Sequence, residues 1–342
     1  VEAFFKTGGP FSGGTLASKL SLKPAAPLSD AAQVRQSLRV FNASIHTRQQ
    51  KVLQTVTDTG NQACKDGGTR RVQTNDNNTP LDVTDDSFSI TTVDCIENGV
   101  GFTSFTNGSF SLAPTAGGFL TTFNQFTFRG TGSGGTFESI LNGTMSFSGT
   151  NVPCGVTSFL ESGSFTMNFT GTFKEDLDNN GSFEVNQSFA MNNVTMSMTE
   201  THTAAPACTP GTATFTLNGE ISSTDHVDGL NTFSATFTQF TTTLTPAVRN
   251  GVEGDLFSLS GTIAISSSCA NGTFTLSTPA GAEPFIPVDD SCPVSGRFLV
   301  TGGGTTTAVI FTPAGGIQID EGNNGSIEQT FADCEDAEAC TS

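Results

Sequence analysis

Across residues 64–310 apolar and polar positions largely alternate. Phe165, Met167 and Phe169 are separated by Thr166 and Asn168, and Phe173 follows in the same phase. Period two is the mark of a β-strand with one face buried and the other wet. Gly, Asn and Asp interrupt these runs at the intervals that hairpins require. The pattern predicts an all-β body.

In three places the alternation slips by one residue. Phe123 and Phe126 are out of phase within one run, as are Met191 and Val194, and Phe237 and Phe240. A β-bulge inserts one extra residue and restores the buried face. A bulge at each pair is therefore expected. Bulges bend long strands, which favours a sandwich, coiled sheet or barrel-like body over a flat one.

The first part of the chain reads differently. Residues 1–28 are Gly-, Pro- and Ser-rich and carry Phe4, Phe5 and Phe11 in an extended arm. Residues 29–56 space Val34, Leu38, Phe41, Ile45, Val52 and Val56 at helical intervals, with Ser29 or Asp30 as cap and Gly60 as terminator. One basic amphipathic helix is expected over 29–60.

The β region also repeats. Asn107-Gly108, Thr122-Phe123-Asn124-Gln125-Phe126 and Leu141-Asn142-Gly143-Thr144 follow Cys95. Asn218-Gly219, Thr236-Phe237-Thr238-Gln239-Phe240 and Leu259-Ser260-Gly261-Thr262 follow Cys208. The offsets cluster near 115 residues, running from 111 to 118. Landmarks agreeing on one period indicate tandem units. The expected organisation is tandem antiparallel β modules: module 1 over 61–153, module 2 over 154–268, and a partial module 3 with a C-terminal loop over 269–342.

The eight cysteines show no C-x-x-C and are widely spaced. The three histidines are far apart, so disulfides fit better than zinc. The repeat suggests pairing Cys64 with Cys95, Cys154 with Cys208, Cys269 with Cys292, and Cys334 with Cys340. Val1 reads as a mature terminus after removal of a leader, which together with the cysteines implies an extracellular or cell-surface setting.

Composition sharpens this picture. The chain has 342 residues, 30 Phe, no Trp or Tyr, and a formal charge of −18. Net acidity opposes nucleic-acid binding. No apolar run is long enough for a membrane-spanning helix. The charge is also divided: residues 1–71 hold ten Lys/Arg and four acids, whereas 72–342 hold four Lys/Arg and 28 acids. A basic segment that meets the acidic body of another copy makes a head-to-tail contact, which propagates unless it closes into a ring.

Chemical motifs are sparse. Asp176, Asp178, Asn180 and Glu184 follow a D-x-D-x-N-G calcium-loop pattern, with oxygen ligands at alternate positions and Gly181 at the turn. Gln187 stands where an EF-hand has its bidentate Glu. The competing reading is an acidic hairpin turn like Asn75-Asp76-Asn77-Asn78. Gly130–Gly135 fits G-x-G-x-x-G, but a strand-like run follows where a dinucleotide site needs a helix. Asp225-His226-Val227-Asp228 offers a His flanked by carboxylates for catalysis or metal but reads as an exposed loop, and the paired carboxylates Asp85-Asp86 and Asp289-Asp290 could serve a glycosidase but lack Trp or Tyr platforms to hold a sugar. Ten N-x-S/T sequons, including Asn42, Asn107, Asn168 and Asn271, are expected on exposed turns.

The segment Cys64-Lys65-Asp66-Gly67-Gly68-Thr69, with Asn75-Asp76-Asn77-Asn78 and Ser87-Phe88 before Cys95, resembles uncharacterised secreted β-rich bacterial surface proteins. That resemblance brings no active site. The plan of arm plus β body looks like that of extracellular filament subunits assembled by strand addition. The functional expectation is a non-enzymatic subunit of a filament, sheath or surface layer. It would have copies of itself as partners, and a cell-surface polymer or other surface protein as a further one. The alternative is a secreted adhesin or calcium-dependent ligand-binding module, with calcium as the sole candidate cofactor.

Overall fold

A computed structural model describes residues 57–75, 86–99, 102–132, 135–154, 157–203, 207–227, 231–267, 271–288 and 292–332. The arm, and residues 29–56 of the helix expected over 29–60, lie outside the described residues. Thr57 and Asp58, at the end of that stretch, are extended and pair with Thr74 and Gln73.

The described residues form one antiparallel sheet of eighteen strands. It opens with β1 (Thr57–Asp58), β2 (Gln62–Ala63), β3 (Gly67–Asn75), β4 (Ser87–Gly99), β5 (Phe102–Thr115) and β6 (Gly118–Gly132). Its centre is β7 (Gly135–Cys154), β8 (Thr157–Asp176), β9 (Val185–His202), β10 (Pro210–Asp225), β11 (Asn231–Arg249) and β12 (Val252–Ser266). It ends with β13 (Asn271–Ser277), β14 (Phe285–Pro287), β15 (Arg297–Gly302), β16 (Thr305–Phe311), β17 (Ile317–Glu321) and β18 (Gln329–Phe331).

From β3 to β13 each strand pairs with the next in the chain. β15 continues from β13, β14 lies beside the first part of β12, and β1 and β2 both flank β3. Pairing runs unbroken through residues 153–154, where β7 joins β8. The repeat is thus carried by groups of strands within one continuous open meander.

The two faces of this sheet differ. One cross-strand row runs Phe147, Phe165, Met196, Leu217, Phe240 over β7 to β11. These side chains lie in the apolar core, together with Ile263, Phe298, Val309 and Ile317 from later strands. The neighbouring row on the other face runs Ser148, Ser164, Ser197, Thr216, Thr241, Ser260, Ser277. Hydroxyls there bond to one another, as Thr216 does with Thr241 at 3.1 Å. Antiparallel sheets tolerate one wet face. Here that face is kept wet by Ser and Thr, whose short side chains satisfy each other across strands.

All three expected bulges are present. The register shifts between Phe123 and Phe126, between Met191 and Val194 opposite Phe169 and Met167, and between Thr238 and Thr241 just past Phe237. Gln125, Asn193 and Gln239 take φ of 48°, 49° and 48° there. A fourth bulge puts Asp94 at φ 47°. A left-handed residue turns its carbonyl toward the neighbouring strand, so a side chain cannot be accommodated opposite. Glycine stands at each such place: a Cβ on Gly108 would sit 2.2 Å from the Gln125 carbonyl oxygen, and one on Gly261 2.4 Å from that of Gln239. The bulges and their glycines form a band across the sheet, and the tandem landmarks of the sequence are its members.

Large rings cover the gaps that glycine leaves. Gly143 lies between Phe123 and Phe169 on adjacent strands, and the two rings approach to 6.5 Å between centroids. Phe189 packs edge-on to Phe169 at 6.0 Å, beside Gly171. Aromatic cover of strand glycines holds register where the backbone alone would slip.

Candidate functional site

The candidate calcium loop is the connection from β8 to β9. Asp176 is buried at the end of its strand, while Asp178 and Glu184 are exposed. One carboxylate oxygen from each lies within 4.8 Å of the others. The loop is shaped by its own hydrogen bonds. Asp176 accepts the N–H of Asn180 at 3.1 Å and of Gly181 at 2.8 Å. Glu184 accepts the N–H of Leu177 at 2.7 Å. Asn179 and Gly181 take φ of 57° and 88°, which Asn and Gly tolerate best.

Three of the four expected ligands therefore converge. The fourth, Asn180, takes part in the loop's own network: its Oδ1 accepts the Ser182 N–H at 2.7 Å and its amide donates to Asp178 at 2.9 Å. Gln187 points elsewhere, its amide 3.5 Å from Asp225. Outside the acids, Lys174 sits over the Phe183 ring at 5.5 Å and pairs with Glu138 at 3.4 Å.

A second loop has the same construction. Asp320-Glu321-Gly322-Asn323-Asn324-Gly325-Ser326-Ile327-Glu328 joins β17 to β18. Asp320 is buried and accepts the N–H of Asn324 at 2.8 Å and of Gly325 at 2.9 Å, while Glu328 accepts that of Glu321 at 2.6 Å. Asn323 and Gly325 repeat the positive φ values, 49° and 90°. The match D-x-x-N-N-G-S-x-E was readable in the sequence but hidden by Gly322, which stands in the place of Asp178. The shared network shows that the fold of the loop needs the first Asp and the last Glu. At the third position only the first loop carries a carboxylate, Asp178, which converges with Asp176 and Glu184 and makes that loop a cation candidate.

The other motifs resolve as structure. Gly132 ends β6 and pairs with Gly135, which opens β7, so a strand follows the glycine run where a dinucleotide site needs a helix. His226 bonds Ser188 at 3.1 Å. Asp85, Asp228, Asp289 and Asp290 lie outside the described residues, as do Phe4, Phe5 and Phe11. Asn107 and Asn168 lie in strands, not in turns. Asn107 Oδ1 accepts the N–H of Asp94 at 3.3 Å, so this Asn-Gly sequon serves a bulge.

Cys64 and Cys95 form a disulfide, with Cα atoms 5.5 Å apart. It ties the turn before β3 to the bulge of β4. Cys208 and Cys292 are each held in a disulfide. Cys334 and Cys340 lie outside the described residues, as does Cys269, and the side chain of Cys154 is likewise outside them. Among the described residues no helix is long and apolar enough to cross a membrane.

The body's own cations are engaged. Arg129 stacks on Phe105 at 4.7 Å, and Arg249 lies 5.7 Å from the Phe285 ring and bonds Ser295 at 3.1 Å. With Lys174 on Glu138, three of the four Lys/Arg beyond residue 71 have defined partners. Lys65, Arg70 and Arg71 belong to the first edge of the sheet. No protein-family model matches the chain, and no curated protein matches it significantly.

Proposed function

We propose that the chain is an extracellular structural protein, a subunit of a filament, sheath or surface layer, in which the basic segment of one copy engages the acidic β body of the next. The observation that carries this reading is the charge division. The body holds 28 acids against four cations beyond residue 71, and three of those cations are already engaged within it. Its complement lies in residues 1–56, with seven Lys/Arg, whereas Lys65, Arg70 and Arg71 are engaged at the first edge of the sheet itself. Charge complementarity sets partner and orientation more than raw affinity. Disulfides suit an oxidising exterior. A body that buries rings on one face and presents hydroxyls on the other has the character of a scaffold. The test is negative-stain microscopy of the full chain and of a variant lacking residues 1–14. Polymers from the first and monomers from the second are expected. Monomers from both, at any salt concentration, overturn the proposal.

A second reading has its own observation. The convergence of Asp176, Asp178 and Glu184 favours a calcium-dependent ligand-binding module. Calorimetry with calcium decides it: saturable binding abolished in Asp178→Ala supports it, and no heat above dilution removes it.

A further inference from the structure

We infer that the acceptor for the basic segment is the last strand of the sheet, β18, of a second copy, so that copies join head to tail; this rests on the filament reading above. Three features of the fold lead there. The meander places β1 and β18 at opposite ends of one open sheet. Donor and acceptor therefore belong to different edges, and a contact between them is heterologous and repeats without limit unless it closes.

The backbone of β18 is available for pairing. It pairs with β17 on one side, and among the described residues nothing pairs with the other. Glu328 donates its N–H to the Ile319 carbonyl at 3.0 Å. Gln318 bonds back to β16, so Ile319 and its partner Gln329 face each other, and by the alternation of an antiparallel ladder the N–H of Thr330 faces away from β17. The other edge is unsuited to direct pairing. β1 and β2 are two residues each and are separated by Gly60 at φ 63°. A broken edge protects against ladder growth, so the donor is the chain that precedes it.

Charge then selects the partner. Beyond Arg297 the chain has no Lys or Arg and seven acids, of which Glu321 and Glu328 are exposed beside β18. Acids at an edge repel a second copy of that same edge and attract a basic strand. Lys6, Lys19 and Lys23 lie in residues 1–28. The apolar face continues to this edge, with Ile317 and Ile319 buried and Phe331 packed against the core. A strand added here sets alternate side chains, Phe5 among them, next to Phe331.

The experiment uses full chains labelled with nitrogen-14 and nitrogen-15, mixed before assembly and coupled with a carbodiimide. Mass spectrometry should find mixed-isotope peptides joining Lys6, Lys19 or Lys23 to Glu321 or Glu328. High salt should suppress them. Thr330→Pro removes the outward donor, and Glu321→Gln with Glu328→Gln removes the charge. Each should lower sedimentable polymer at least tenfold while circular dichroism stays unchanged. Same-isotope pairs alone would place the segment on its own body and overturn the inference. Polymers whose mixed pairs map to other acids, such as Asp176–Glu184, overturn this acceptor but leave the filament reading standing. Absence of both polymers and mixed pairs overturns both readings, whereas wild-type polymer from the double Gln variant overturns the acceptor alone.

Discussion

The side-chain oxygen of Asn218 accepts the backbone N–H of Gln239 at 2.7 Å, from one strand to the bulge of the next. Asn142 does the same for Gln125 at 3.2 Å, and Asn107 for Asp94 at 3.3 Å. Each Asn is followed by a glycine that makes room on the opposite side: Gly108 for the Gln125 carbonyl, Gly143 for that of Asn168 and Gly219 for that of Asn193. Asn-Gly therefore works here as a two-sided bulge receptor: the amide holds the extra residue of one neighbouring strand and the glycine makes room for a carbonyl of the other.

If so, Asn218→Ala should destabilise the sheet by about 1 kcal/mol, the usual net value of one hydrogen bond. Gln239→Gly should act in the opposite direction. It removes a left-handed cost of roughly 1–2 kcal/mol, partly offset by the backbone entropy of glycine. A net gain of about 0.5–1 kcal/mol is expected. Urea midpoints of the two variants against the parent measure both effects, and a shift in the same direction for both would contradict the receptor role.

Gly143 gives a sharper contrast. A Cβ there would lie 2.3 Å from the Asn168 carbonyl oxygen and 2.5 Å from the Phe169 Cα. Gly181, in the acidic loop, has φ 88° but nothing within 4 Å of an added Cβ. Both Ala variants incur left-handed strain of about 1–2 kcal/mol. Gly143→Ala also forces two strands apart, and should lose more than about 3 kcal/mol. Thermal melts of the pair should differ by many degrees. Equal losses would mean that the central strands yield more easily than their packing implies.

These residues show what could be read before the structure was known. The slips between Phe123 and Phe126, Met191 and Val194, and Phe237 and Phe240 announced bulges because a buried face tolerates no phase error. The Asn-Gly pairs were read as turns, since their tolerance of positive φ serves a turn and a bulge alike. Continuity at Cys154 was beyond local pattern. Alternation specifies a strand and its wet face, but it does not say whether the strand's next neighbour belongs to the same sheet. In the candidate site, Asp176, Asp178 and Glu184 were legible from spacing. The twin loop at Asp320 was missed because Gly322 breaks the metal pattern while preserving the hydrogen-bond pattern.

The Cys64–Cys95 disulfide closes a span of 31 residues. In the chain-entropy model a loop of that length contributes about 3.5–4 kcal/mol. Replacing both cysteines by serine should lower the unfolding free energy by roughly 2–5 kcal/mol. The loss should be largest at the first edge, where the turn before β3 also rests on the Asp66 N–H to Ile96 bond of 3.0 Å. Hydrogen exchange resolves this. Faster exchange confined to β2, β3 and β4 supports an edge clamp, and uniform acceleration across β7 to β12 would show that the sheet unfolds as one unit from that edge.

Asp58 couples the first edge to pH. Arg71 donates to both its oxygens, Gly60 N–H adds a bond of 2.9 Å, and Gln73 one of 3.2 Å. The Arg71 bonds, then the Gly60 N–H, hold this carboxyl well below the ordinary carboxylate range, and Arg71 is raised in return. A carboxylate depressed in the folded state contributes stability above its unfolded pKa of about 3.9. That contribution is lost only as pH falls through the lower folded value. The pairing of β1 with β3 should therefore persist through the normal titration range of Asp and Glu and fail only well below pH 4. The pair is exposed, so salt should weaken it. Carbon-13 titration of the Asp58 carboxyl, together with exchange of the Thr59 amide that donates to Val72 at 3.0 Å, follows both events. Arg71→Ala should return Asp58 toward its ordinary pKa and release the Thr59 amide at neutral pH. An unchanged Asp58 titration in that variant would assign the depression to Gly60 and Gln73 instead.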